Sequence, residues 1–327
     1  MILRRDFTTL LGGAAAWPLA ARAQQRVMPV VAWVVGVRAN SASPPVAAFR
    51  MGMSETGYVE GQNVMVEYHW LDGHYERLPA LMSDLVRRRV TLIATPGFPD
   101  GAIAAKAATA TIPIVFGVGD DPVKLGLVAS LARPGGNATG VNFFGQELTA
   151  KRLGLLHELV PKANRIAVLV NPANSSTEPT LRDVQEAARV LGVQIVVFNA
   201  STISEINAAF AALPREHADA LFVAADPFFF SRRVQFAILA ARDRVPASYG
   251  SREYVEVGGL MNYGTNLADS FHHVGLYTGQ ILKGAKKADL PVVQPTKFEF
   301  VINLQTAKAL GVEVPPTLVA LVTEVIE

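Results

Sequence analysis

The chain has no cysteine among its 327 residues. That absence excludes a disulfide framework, a cysteine zinc site, a thiol nucleophile and the lipid-bearing cysteine of a bacterial lipoprotein. Net charge is nearly missing as well. The 30 Lys and Arg face 28 Asp and Glu, and setting aside Arg4, Arg5, Arg22 and Asp6 of the first 23 residues leaves 27 against 27. So neutral a chain carries no electrostatic footprint for nucleic acid or an anionic lipid surface. Past residue 23 no apolar run reaches membrane-spanning length, so no stable membrane insertion is expected. A Walker loop, a G-x-S-x-G elbow and a complete dinucleotide fingerprint are all lacking, and the six histidines are scattered. These gaps argue against an enzyme on an α/β scaffold, and no metal or cofactor is expected.

The first residues read as a targeting segment. Arg4 and Arg5 precede a short apolar stretch over 7–21 that ends in Ala21-Arg22-Ala23, with small residues at the two positions a signal peptidase reads. The expectation is a signal peptide over 1–23, cleaved near Ala23. Arg4-Arg5-Asp6-Phe7 is twin-arginine-like, and a Sec route stays open.

Short apolar, β-branched runs then alternate with amphipathic stretches. Strands are predicted over 30–35, 64–70, 91–95 and 112–117, separated by helices over 45–56, 75–88 and 100–109, with another helix over 122–131. After the turn-rich Arg133-Pro134-Gly135-Gly136-Asn137 the series restarts. Strands over 141–144, 166–170, 193–198 and 220–223 are interleaved with helices over 151–159, 179–191, 203–213 and 228–242. The remainder reads as strands at 259–262 and 298–303 and helices at 268–282, 306–310 and 317–326. Strands spaced by helices indicate βαβ units and parallel sheets. The predicted fold class is α/β, with two doubly wound parallel-sheet lobes joined by a three-segment hinge. Lobe one is expected at 27–141 plus 248–290, and lobe two at 142–247 plus 291–327.

Several segments are specific enough to carry a resemblance. They include Gly57-Tyr58-Val59-Glu60-Gly61-Gln62-Asn63-Val64, Ile112-Pro113-Ile114-Val115-Phe116, Leu131-Ala132-Arg133-Pro134-Gly135-Gly136-Asn137, Ala224-Ala225-Asp226-Pro227 and Gly258-Gly259-Leu260-Met261-Asn262-Tyr263-Gly264. Over nearly the whole chain past the leader, the sequence resembles the ABC transporter substrate-binding family that includes tryptophan- and tyrosine-binding members. The resemblance implies a type I periplasmic-binding fold with a small-molecule ligand between the lobes. It also implies an ABC permease of the inner membrane as partner.

In open α/β sheets ligands sit outside the carboxyl ends of the strands, where helix N-termini gather. The residues after each apolar run are therefore the candidate ligand-binding groups. After the third strand come Thr95, Gly97 and Phe98. The family's loop grips a carboxylate through a hydroxyl and amides, which Thr95 and Gly97 retain, while Pro96 removes a donor and Phe98 adds an apolar face that suits a larger or more apolar ligand. Gly117 and Gly119 follow the fourth strand; the adjacent Asp121-Pro122 reads as a helix cap. In lobe two Asn142, Asn171 and Asp226 are candidates. Asn171 serves either the cleft or a local Asn-Pro turn. Asp226 either caps the following helix or, as the resemblance implies, pairs with a ligand ammonium. Tyr249, Glu253 and Tyr263 near the hinge either close over a ligand or pack the hinge. Trp33 reads as core.

The expected protein is therefore a monomeric solute-binding component, free in the periplasm. It would bind a carboxylate-bearing, aromatic amino-acid-like ligand by hinge closure. A sensory protein that engages a signalling receptor would share the same binding physics.

Overall fold

The apolar runs form the strands, and the helices between them cover both faces of two sheets. The computed structural model describes residues 28–327 apart from 42, 146, 147 and 296. The expected leader, 1–23, lies outside the described residues.

The first lobe begins with β1 (Val30–Val35), α1 (Ser43–Glu55), β2 (Met65–Trp70), α2 (Leu78–Arg87) and β3 (Leu92–Thr95). It continues with α3 (Pro99–Ala108), β4 (Ile114–Val118) and β5 (Ala138–Asn142). Its strands lie in the order β2-β1-β3-β4-β5, all parallel. Side chains alternate across β1. Val31, Trp33 and Val35 pack with Phe49 and Met53 of α1, while Ala32 and Val34 join Leu78, Met82 and Leu85 of α2. Burial on both faces explains why these strands are continuous apolar runs.

The second lobe starts with α4 (Leu148–Leu159), β6 (Arg165–Val170), α5 (Thr177–Leu191), β7 (Gln194–Asn199) and α6 (Ile203–Ala212). Then come β8 (Ala220–Val223), α7 (Pro227–Phe230), α8 (Arg233–Arg242), β9 (Ala247–Tyr249), α9 (Arg252–Glu256) and β10 (Met261–Thr265). Next, α10 (Leu267–Leu282) returns to lobe one, and β11 (Phe298–Asn303), α11 (Leu304–Leu310), α12 (Pro316–Val319) and β12 (Glu324–Ile326) complete lobe two. The order is β12-β11-β10-β9-β8-β6-β7, and β10 with β11 is the antiparallel pair among the described strands.

Three segments join the lobes: β5 to α4, β10 to α10, and the stretch that leads from Val293 to β11. The second crossing corrects the boundary expected at 248. β9 pairs in parallel with β8, and β10 with β9, so 247–265 stays in lobe two and only α10 goes back. What holds α10 there is a close helix crossing with α1. A Cβ on Gly52 would lie 2.1 Å from the His272 carbonyl oxygen, and one on Gly275 2.1 Å from that of Phe49. Glycine at both positions lets the two backbones touch. Residues 290–293 also stay with lobe one, where the Val293 amide bonds to the Gly140 carbonyl and Val293 in turn accepts from the Asn142 amide.

Three predicted helices differ. Residues 122–131 form turns, because Gly126 takes φ 71°; Asp121 Oδ1 accepts from the Val123 amide at 2.9 Å and so caps a turn. The helix expected over 228–242 is broken into α7 and α8 at Arg232, whose backbone is non-helical. The helix expected over 317–326 ends at Val319, and Glu324–Ile326 pairs with β11 instead.

Candidate functional site

The carboxyl ends of both sheets face one another across the cleft, and the lobes are in contact there. Arg232 Nη2 of lobe two lies 2.8 Å from Asp72 Oδ1 of lobe one. The Ser231 hydroxyl accepts from the Arg38 amide at 2.9 Å. The Ser176 hydroxyl donates to Asp120 Oδ2 at 2.6 Å, and the Tyr75 hydroxyl to Asp226 Oδ2 at 3.3 Å. The Ser175 amide reaches Asp100 Oδ1 at 3.3 Å. This is a shut cleft.

Behind these contacts lies a cavity of about 160 Å³. That is close to the size of a cavity that accepts one benzene-sized guest, roughly 150 Å³. Its wall is mostly apolar. Lobe one contributes Trp33, Val35 and Phe271, and lobe two contributes Phe230, Tyr254 and Tyr263. Trp33 and Phe271 are stacked, with centroids 5.9 Å apart. The charged residues lining it, among those described, are Asp120, Arg152 and Asp226.

Asp226 is held entirely by the protein. Its Oδ1 accepts from the Phe229 amide at 2.9 Å and caps α7. Its Oδ2 accepts from Asn174 Nδ2 at 2.8 Å, Asn171 Nδ2 at 3.2 Å and the Tyr75 hydroxyl. Burial pushes its pKa up and the donors pull it down, with burial prevailing. Burial likewise raises Asp120 and Asp100, against the opposing bonds from Ser176 and Ser175.

Of the residues singled out by the sequence, Gly97, Gly119, Asp226 and Tyr263 line the cavity. Seven others do not. Thr95 is fully buried in β3, and its hydroxyl has no partner among the described residues. Phe98 packs into the lobe-one core against Tyr75, with ring centroids 5.0 Å apart. Gly117 accepts from the Gly97 amide within the sheet end. Asn142 Oδ1 turns back to the Phe144 amide. Asn171 closes a local turn on the Ala173 amide and holds Asp226. Tyr249 lies fully buried beneath Tyr254, their rings stacked at 4.5 Å. Glu253 is half-buried, and its Oε2 has no hydrogen-bond partner among the described residues. Trp33 is core and cavity wall at once.

Sequence reasoning missed Tyr254, Phe271 and above all Arg152. A signal for Arg152 was present. Thr149, Arg152, Leu156 and Leu159 recur at helical spacing on the buried face of α4, so an arginine stands in an apolar stripe.

Comparison with known proteins fits this geometry. A tyrosine-binding protein from Clostridioides difficile (strain R20291) is 28% identical over 265 residues, which is 81% of this chain and 76% of that one. A crystal structure of an ABC domain in complex with L-Trp from Streptococcus pneumonia superposes with a TM-score of 0.78 at 24% identity, covering 90% of this chain and 100% of that chain. A ligand-free, open substrate binding protein with adhesive properties from Clostridium difficile superposes at 0.60, with 25% identity over 88% of this chain and 96% of that chain. These likenesses bear out the two-lobed type I periplasmic-binding fold. The sequence pattern of the family described as ABC transporter substrate binding protein matches residues 30–326, and the chain belongs to that family.

Proposed function

We propose that the protein is the periplasmic solute-capturing component of an ABC importer. It takes up a small aromatic carboxylate, amino-acid-like in size, and closes its lobes around it. The observation that carries this reading is the enclosed, aromatic-walled cavity sealed by hydrogen bonds that run from one lobe to the other. Affinity comes from burying the ligand's apolar body while pairing its polar groups. Contacts donated by the second lobe favour the closed state, whose surface an inner-membrane permease then engages. Ligand leaves chemically unaltered. The better superposition on the tryptophan-bound structure than on the ligand-free, open one supports reading this arrangement as the closed form.

The test pairs a thermal-shift screen of aromatic acids and aromatic amino acids with small-angle scattering. Binding compounds are expected to raise Tm and shrink the radius of gyration. Saturating ligand without compaction sinks the closure mechanism, and a chemically altered ligand after incubation sinks the transport reading.

A further inference from the structure

Among the described residues, a buried guanidinium facing the cavity has no carboxylate partner. Arg152 is 5% exposed and lines the cavity wall. Its five N–H groups can make five hydrogen bonds. Among the described residues one is placed, from Nη2 to the Val223 carbonyl at 3.0 Å. Nε has no partner. Nη1 lies against Gly250, where a Cβ would come within 2.6 Å of it. The flat face rests 4.0 Å from the centroid of Phe222. Among the described residues no carboxylate lies within ion-pair distance. Burial depresses its pKa to about 9, so it remains charged at neutral pH. An uncompensated buried charge is costly, and buried donors are seldom left unmade.

Of the two acidic residues of the cavity, Asp226 offers no matching vacancy. An ionised carboxylate has about four acceptor sites, and Asp226 already takes four protein donors. Asp120 is taken on Oδ2 by Ser176. The unmet cation in the cavity is thus Arg152, while Asp226, the acid that the resemblance pairs with an ammonium, is already saturated.

We infer that Arg152 anchors the carboxylate of the ligand, and that the preferred ligand is an aromatic monocarboxylate without an α-ammonium group. The guanidinium offers a planar fork suited to a bidentate carboxylate. Trp33, Phe271, Tyr254 and Phe230 receive the ring. This inference rests on the proposed reading of the cleft as a carboxylate site and names the group and ligand class within it.

Calorimetry of the full-length mature protein tests it, with phenylacetate and indole-3-acetate as acids, indole-3-acetamide as the uncharged isostere, and L-phenylalanine and L-tryptophan as amino acids. The acids are expected to bind at least about a hundredfold more tightly than the amide, the scale of losing one partner of a buried charge pair. They should also bind more tightly than their amino-acid counterparts. R152M should lose acid binding by a similar factor while its ligand-free Tm stays level or rises, since an unpaired buried charge has been removed. R152K should bind with intermediate affinity. An arginine that only braces β8 would instead lower the ligand-free Tm of R152M and leave the acid-to-amide ratio of the wild type near one. Tighter binding of the amino acids, or unchanged acid affinity in a folded R152M, overturns the inference and leaves the cleft reading standing. If no compound of either series binds, the cleft reading itself fails and takes the inference with it.

Discussion

Ser176 of lobe two donates its hydroxyl to Asp120 of lobe one at 2.6 Å, a hydrogen bond to a buried carboxylate that spans the cleft beside the cavity. In an open cleft water replaces the serine. The bond therefore contributes to closure rather than to the stability of either lobe. A hydrogen bond to a charged group is worth about 1.5–3 kcal/mol. Ser176→Ala should weaken binding of the aromatic carboxylate by about tenfold with Tm of the ligand-free protein unchanged. Isothermal calorimetry and a melting curve together check this, and an equal affinity would mean that closure does not depend on the pair.

Closure also needs room. Gly36, which follows β1, faces Pro227 across the cleft, and a Cβ there would stand 2.9 Å from the Pro227 Cβ and 3.0 Å from the rings of Tyr75 and Phe98. Valine at this position fills the seam. Gly36→Val should shift the population toward open and lower apparent affinity in proportion to the lost closed fraction. Small-angle scattering with saturating ligand should show a larger radius of gyration than wild type. A fully compact Gly36→Val complex would locate the hinge seam elsewhere.

The fold was legible because the first sheet is parallel, the second is parallel except where β10 meets β11, and the central strands are buried and announce themselves as apolar runs. The misread pieces have local causes. Gly126 takes a left-handed backbone that ends any helix over 122–131. The final β12 is three residues long, so periodicity had nothing to act on. The second crossing was misplaced because β9 and β10 look alike from sequence whichever sheet receives them; their partners, β8 and β11, are distant in the chain. The site was half legible. Strand-end logic finds Gly97, Gly119 and Asp226, which lie just after strands. It does not find Arg152, Tyr254 or Phe271, which sit on helices α4, α9 and α10 and reach the cavity through packing.

Asp226 illustrates how a cleft residue can be structural. Its four donors include the amides of Asn171 and Asn174. Asp226→Asn keeps the size but points an NH2 at other donors and weakens the α7 cap. The expected result is a loss of about 1–3 kcal/mol in urea unfolding, the scale of leaving buried polar groups unsatisfied. Affinity for an aromatic acid should stay within about threefold. A folded Asp226→Asn protein that loses binding by tenfold or more would make the carboxylate a ligand contact.

The same buried carboxylates set a pH dependence of closure whose sign follows from linkage. Asp100, Asp120 and Asp226 are raised above 3.8 by burial, and each accepts a bond from the opposite lobe when the cleft is shut. Opening rehydrates them and returns each pKa toward its ordinary value. Between 3.8 and the raised values the closed form holds more protons than the open one, so falling pH favours closure and rising pH removes that contribution. Asp72 works oppositely. Burial pushes it up, but Arg38 and Arg232 outweigh burial and hold it below 3.8. Its cross-cleft pair with Arg232 persists above that value and is lost as pH falls through the lowered one. The ligand-free protein should therefore become more compact as pH falls through the raised values toward 3.8, with the trend reversing only below the ordinary carboxylate range. Scattering across that range checks both limbs. Steady expansion as pH falls toward 3.8 would mean that closure is governed by charges other than those of the three carboxylates.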